Sequence, residues 1–201
     1  MRPAACPPTR RQMLRLISTL PLWGCGTCRA QARPVDGPLE ALLRRGGVAL
    51  LLRHAITTPG LSDPPGFRLG DCATQRNLSE EGRGQAGRIG LWFRQRELVP
   101  AHVLCSAWCR CQDTARLAFG GSQHWAPLDS LVGRHEHQDA AVREMAARLG
   151  RLRAGTFEVW VTHQVNIHAL AGEPVAMGQA LIAAAGSGRP GVTIAGRLSF
   201  D

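Results

Sequence analysis

The chain of 201 residues has no lysine and no tyrosine, and all 24 of its basic residues are arginine. GC-rich codon usage accounts for that bias, so arginine abundance alone implies no function. No acidic residue precedes Asp36, and no apolar run is long enough to cross a bilayer as a permanent helix. No repeat, heptad pattern or low-complexity tract interrupts residues 36–201. That excludes fibrous and solenoid architectures and leaves one domain of ordinary size. Within residues 33–201 no second cysteine pair accompanies Cys109 and Cys111 at metal-ligand spacing, so that part gives no strong metal motif and a zinc site is the weaker reading of that pair. The net charge of +9 is also not a nucleic-acid stripe. Arg2, Arg10, Arg11, Arg15 and Arg29 all lie before the first acid, and the later arginines are dispersed among carboxylates.

What the N-terminus does contain is a basic stretch, the short apolar run Leu16-Ile17-Ser18-Thr19-Leu20-Pro21-Leu22-Trp23 and the small residues Ala30-Gln31-Ala32. This is the pattern of an export signal over residues 1–32, leaving a mature domain over 33–201. Thr9-Arg10-Arg11-Gln12-Met13-Leu14 resembles a twin-arginine signal. Leu22-Trp23-Gly24-Cys25 offers the alternative of a lipoprotein cleavage box with a lipid anchor on Cys25, although Trp23 fits that box poorly. Either route predicts a periplasmic protein. Cys6, Cys25 and Cys28 would leave with the signal, and Cys72, Cys105, Cys109 and Cys111 would remain where disulfides persist. A bridge from Cys72 to Cys109 or Cys111 would tie the long loop to the turn that carries Arg110.

Strand and helix patterns alternate along the mature chain. Pro38 at the start and Gly46-Gly47 at the stop delimit a helix over 38–45, and a buried strand follows over about 48–53. Residues 56–78 are too rich in Pro and Gly for an element and too long for a plain connection. Ser79 suits an N-cap for a helix ending near Glu97, with Ala86, Ile89 and Phe93 on one face. A strand at 102–106, a helix at 109–119, a strand at 126–130, a helix at 138–152, a strand at 157–162 and a helix at 165–171 follow. Two final strands at 178–183 and 191–198 form an antiparallel edge hairpin. The sum is an α/β fold, a three-layer αβα sandwich with a mixed, mainly parallel sheet.

Apolar strands ending in Arg53-His54, in Ser106 with Arg110 just beyond, and in Thr162-His163 send two arginines and two histidines to one sheet edge. Leu52-Arg53-His54-Ala55, Asn77-Leu78-Ser79-Glu80-Glu81-Gly82, the run from Ser106 through Arg110 to Ala115, and Val161-Thr162-His163 resemble, in order and spacing, the motifs of the histidine phosphatase superfamily. The resemblance is to its phosphoglycerate-mutase-like branch. It implies that His54 is the nucleophile that becomes phosphorylated, that Arg53 and Arg110 hold the phosphoryl group, and that His163 donates to its oxygens. Arg76 lies where the family often contacts substrate.

The chemistry agrees with those residue types. Guanidinium forks bind phosphate oxygens bidentately, and a neutral imidazole presents a lone pair near pH 7. No cofactor is implied. The general acid departs from the family pattern. The position after the third strand reads Ser130, and Glu136, between His135 and His137, is the candidate proton donor, with another loop acid such as Asp71 or no dedicated acid as alternatives. Weak acid catalysis favours leaving groups that need no protonation. An exported enzyme does not meet the glycolytic pool, so the expected function is a periplasmic phosphatase acting on a small phosphorylated substrate, similar in layout to phosphatases of envelope glycan phosphates. A non-catalytic phosphate-ligand-binding protein on the same fold is the alternative, and neither reading involves nucleic acid.

The N-terminal reading carries its own test. Mass spectrometry of periplasmic protein should find a mature chain beginning near Arg33, and a soluble full-length cytoplasmic form would overturn it.

Overall fold

The computed structural model describes residues 37–187 and 190–200. The expected export signal over 1–32, and Cys25 as the alternative lipid-anchor position, lie outside the described residues. The described residues belong to the compact unit Val35–Asp201.

Helix α1 (Pro38–Arg45) begins with proline near its N-terminus and ends at Gly46, whose φ is 70°. A Cβ on Gly46 would also lie 2.3 Å from the Thr156 amide nitrogen, so both conformation and space demand glycine there. Strand β1 (Val48–Arg53) follows and is buried along nearly its whole length. The next elements are α2 (Glu80–Gln95), β2 (His102–Cys105), α3 (Cys109–Phe119), β3 (Gln123–His124), α4 (Gln138–Leu149), β4 (Phe157–Thr162), α5 (Gln164–Ala171), β5 (Ala180–Ala185) and β6 (Val192–Leu198).

The sheet order is β3-β2-β4-β1-β5-β6, parallel from β3 through β1, with β5 antiparallel to β1 and β6 antiparallel to β5. Period-two alternation divides the core into two layers. Val48, Leu50 and Leu52 of β1 face Ile89, Phe93 and Ala115 of α2 and α3, while Ala49 and Leu51 face Met145, Leu149, Ile167 and Leu170 of α4 and α5. This is the expected αβα sandwich with its edge hairpin.

The third strand departs from the expectation at 126–130. The strand is only Gln123–His124, and Ala126–Leu128 forms a 3-10 turn. Pro127 has no N–H to give a ladder. The carbonyls of this turn instead accept from β4 and α5: Thr162 Oγ1 donates to Leu128 O at 2.6 Å, and Asn166 Nδ2 donates to Asp129 O at 2.7 Å. The loop over 56–78 is ordered by a bridge between Thr57 and Leu78 and by a 3-10 turn over Cys72–Thr74. Of the two cysteine pairings left open by the sequence, the chain forms Cys72–Cys109, and Cys105 and Cys111 are buried and free.

Ser79 caps α2 by accepting from the Gly82 amide at 3.0 Å. Further along, α2 meets α3 at Gly90, where a Cβ would come within 2.3 Å of the Ala118 carbonyl oxygen. Gly90→Ala should therefore push α2 off α3 and destabilise the fold by about 1–3 kcal/mol. An unchanged urea unfolding midpoint would show that the two helices can separate at no cost.

Candidate active site

The parallel strands end together, and each end continues the ladder by one residue. His54 N–H donates to Thr162 O at 3.0 Å, and Ser106 N–H donates to Val161 O at 3.1 Å. His54, Ser106 and His163, each directly following its strand, are thereby fixed side by side. Three residues separate the end of β2 from the start of helix α3, which brings Arg110 in on its first turn. The same helix braces the histidine turn, because Thr114 Oγ1 accepts from the Ala55 amide at 3.0 Å.

A cavity of about 600 Å³ opens at this edge, lined among others by Arg53, His54, Asp63, Arg76, Arg110 and His163. The five residues expected at the site, Arg53, His54, Arg76, Arg110 and His163, are thus brought together. Glu136 is not among the lining residues. It is exposed, and its carboxylate pairs with His137 at 3.2 Å on a short 3-10 turn, His135–His137, that directs it to solvent.

His54 is 3 % exposed, and its Nδ1 lies 2.9 Å from its neighbour's carbonyl, Ala55 O. A carbonyl only accepts, so Nδ1 carries the proton and Nε2 keeps its lone pair. Burial is the main cause that lowers the ring's pKa from the ordinary 6.5 to about 3, helped by Arg110, Arg53 and Arg76 and opposed by the Ala55 hydrogen bond. The imidazole is consequently neutral throughout the physiological range. His163 stands 5.5 Å away, ring centre to ring centre, in an edge-on arrangement. Its pKa is also lowered, by burial first and then by His54 and the arginines.

Three guanidinium groups surround these rings. Arg53 donates through Nη1 to Gln164 Oε1 at 2.5 Å and to Val175 O at 2.8 Å. Arg76 donates through Nη1 to Thr57 Oγ1 at 2.6 Å and to Gly60 O at 2.9 Å. Arg110 donates through Nη1 to Asp63 Oδ1 at 2.7 Å. The Nε of all three is buried and unpartnered. Burial and the mutual repulsion of these cations lower the pKa of Arg53 and Arg76. Three buried, unsatisfied cationic donors around one cavity are what an incoming oxyanion would satisfy.

Asp63 is the residue that the sequence reading missed. It lies in the loop after β1, and its two oxygens accept from the Arg110 guanidinium, the Arg76 amide at 2.9 Å and the Trp108 indole at 3.0 Å. Burial raises its pKa, but those hydrogen bonds and Arg110 outweigh it and hold the carboxyl below the usual range. Its only sequence sign was to be the one acid of the Pro- and Gly-rich stretch 56–70, and Asp before Pro is ordinary turn composition. Among the described residues no three His, Cys, Asp or Glu side chains stand together as a metal site.

No protein-family model and no curated protein matches the chain. Solved structures do match. A candidate alpha-ribazole-5'-P phosphatase from Escherichia coli is 18 % identical with a TM-score of 0.51, over 73 % of this chain and 93 % of that one. The open reading frame Rv3214 of Mycobacterium tuberculosis is 20 % identical with a TM-score of 0.51, over 74 % and 95 %. The protein histidine phosphatase SixA, solved with tungstate, is 13 % identical with a TM-score of 0.50, over 76 % and 96 %. The chain has the phosphoglycerate-mutase-like fold, as its motifs implied.

The depressed pKa of His54 sets a pH dependence. Between about 6.5 and 3 the unfolded chain binds this proton and the folded chain does not. Stability from this group is therefore full above pH 6.5 and is lost as pH falls through that window, with His163 acting in the same direction. The urea midpoint should drop between pH 7 and 4, and His54→Gln should flatten part of that slope; an identical slope in the variant would contradict the assignment.

Proposed function

We propose that this chain is a histidine phosphatase, a phosphoric monoester hydrolase that works through a phosphohistidine on His54 and acts on a small phosphorylated substrate in the periplasm. The observation that carries the reading is the neutral His54 ring, Nδ1 tied to Ala55 O, beside three arginines whose Nε donors lack partners. The structural likeness to proteins described as phosphatases supports it at the level of the fold. The basic, acid-free N-terminus and the Cys72–Cys109 bridge support an exported site of action.

Arg53, Arg76 and Arg110 hold the phosphoryl oxygens, and His54 Nε2 attacks phosphorus as the bond to the leaving group breaks. His163 donates to a phosphoryl oxygen where charge is greatest. Water then attacks the phosphohistidine, which releases inorganic phosphate and restores the neutral ring.

Among the described residues that line the cavity, none offers a free carboxylic acid to protonate the leaving atom. Asp63 is the one carboxylate among the lining residues, and its oxygens are already committed to three N–H donors. Substrates whose leaving group departs without a proton are therefore favoured, such as phosphohistidine, anomeric phosphates, pyrophosphates or activated aryl phosphates.

His54→Ala should lower the hydrolysis of p-nitrophenyl phosphate by roughly 10³-fold or more while tungstate still binds. A retained rate would reject His54 as nucleophile, and tungstate binding with no turnover in the native protein would make the chain a phosphate-ligand-binding protein instead. Across a series of aryl and alkyl phosphates, kcat/KM should fall steeply as the leaving group becomes more basic. A flat dependence would mean that a proton donor operates after all.

A further inference from the structure

Ser106 is the most buried polar group next to the proposed catalytic rings. It has no exposed surface, and its Oγ lies 2.8 Å from His163 Nε2. The Trp108 amide reaches the same oxygen at 3.3 Å. An amide can only donate, so Ser106 Oγ accepts there and its own hydrogen must find another acceptor. Two lie near it. One is the imidazole nitrogen of His163, and the other is the Cys111 sulfur, a weak acceptor. Cys111 Sγ in turn lies 3.6 Å from the same His163 nitrogen and is wholly buried, so its thiol keeps its proton. Of the two acceptors within reach of the serine hydroxyl, the imidazole nitrogen at 2.8 Å is the stronger, and the protonated Cys111 sulfur the weaker.

We propose that Ser106 is a positioning residue that fixes the tautomer of His163, accepting from the Trp108 amide and donating its hydroxyl proton to Nε2 so that the ring carries its hydrogen on Nδ1. The consequence concerns the face that meets substrate. His163 lines the cavity, and its Nδ1 takes part in no hydrogen bond among the described residues. With the proton held on Nδ1, the neutral ring has one N–H to offer a phosphoryl oxygen. In the other tautomer Nδ1 would present a lone pair to that oxygen and repel it. Because burial keeps this imidazole from taking a second proton, tautomer choice decides whether it helps or hinders. The serine acts through His163 and does not touch the substrate.

The role of His163 as donor rests on the histidine phosphatase reading, but the tautomer does not, and the test separates them. Nitrogen NMR of histidine-labelled protein, with the His163 signals identified by their loss in His163→Gln, should show Nδ1–H and an unprotonated Nε2 in the native chain. In Ser106→Ala the Nε2–H form should become populated. Tungstate affinity and kcat/KM should each fall about tenfold or more, as for other partners that orient a functional histidine. Ser106→Thr, which keeps a hydroxyl, should restore the native tautomer. Native protein with the proton on Nε2 overturns the proposal whatever the variants do, including if they fail to fold. So does a Ser106→Ala protein that loses activity with its tautomer unchanged, or changes tautomer with tungstate affinity intact. Absence of turnover in the native protein would sink the enzymatic reading alone.

Discussion

Repulsion among three guanidinium groups is the constraint around which this structure is arranged. Arg53, Arg76 and Arg110 share one cavity with a single lining carboxylate, that of Asp63. Cations gathered there oppose one another, and burial withdraws the water that would screen them. Backbone carbonyls, Gln164 and Thr57 hold the Nη1 atoms of Arg53 and Arg76 in place, and Asp63 holds that of Arg110. The Nε donors that remain unpartnered leave the site deficient in negative charge. Burial above all, helped by the same field, keeps both histidines neutral. One arrangement therefore leaves donors open toward the cavity and keeps a ring nitrogen of His54 unprotonated beside them.

The fold contributes position more than charge. Parallel pairing of β1 with β4 and of β2 with β4 sets the heights of three strand ends, and each side chain follows from its place in the register. Arg53 pairs across from Thr162, so His54 and His163 stand level by construction. Two apolar layers that alternate residue by residue along β1 lock that register, because a slip of one position would expose an entire face.

This explains what was legible in the amino-acid sequence. Strands β1 and β4 and helices α1 and α3 were readable to the residue because their apolar runs have sharp stops, Gly46 and Gly120 among them. Strand ends deliver their last residues to one edge by rule, so Arg53, His54 and His163 were readable too, and Arg110 from its place just beyond β2 on the first turn of α3. The short β3 was displaced because its two ladder pairs leave no periodicity to detect, and the apolar residues after it serve a 3-10 turn instead. Asp63 was invisible because its partners, Trp108 and Arg110, are more than forty positions away. Glu136 drew notice as the acid between two histidines, but neighbouring residues on a turn need not face the same way, and this one faces solvent.

The bridge between Cys72 and Cys109 joins the loop that supplies Arg76 and Asp63 to the residue preceding Arg110. Two of the three guanidiniums and their shared counter-ion thus depend on one covalent link. Before that link forms, the loop is held to α3 only by non-covalent contacts, among them the Cys109 amide donating to Gln75 Oε1 at 3.0 Å. The bridge therefore fastens side chains that line the cavity as well as the loop itself. A freshly made chain with both sulfurs reduced would carry its histidines in register yet lack a firmly closed collar around them.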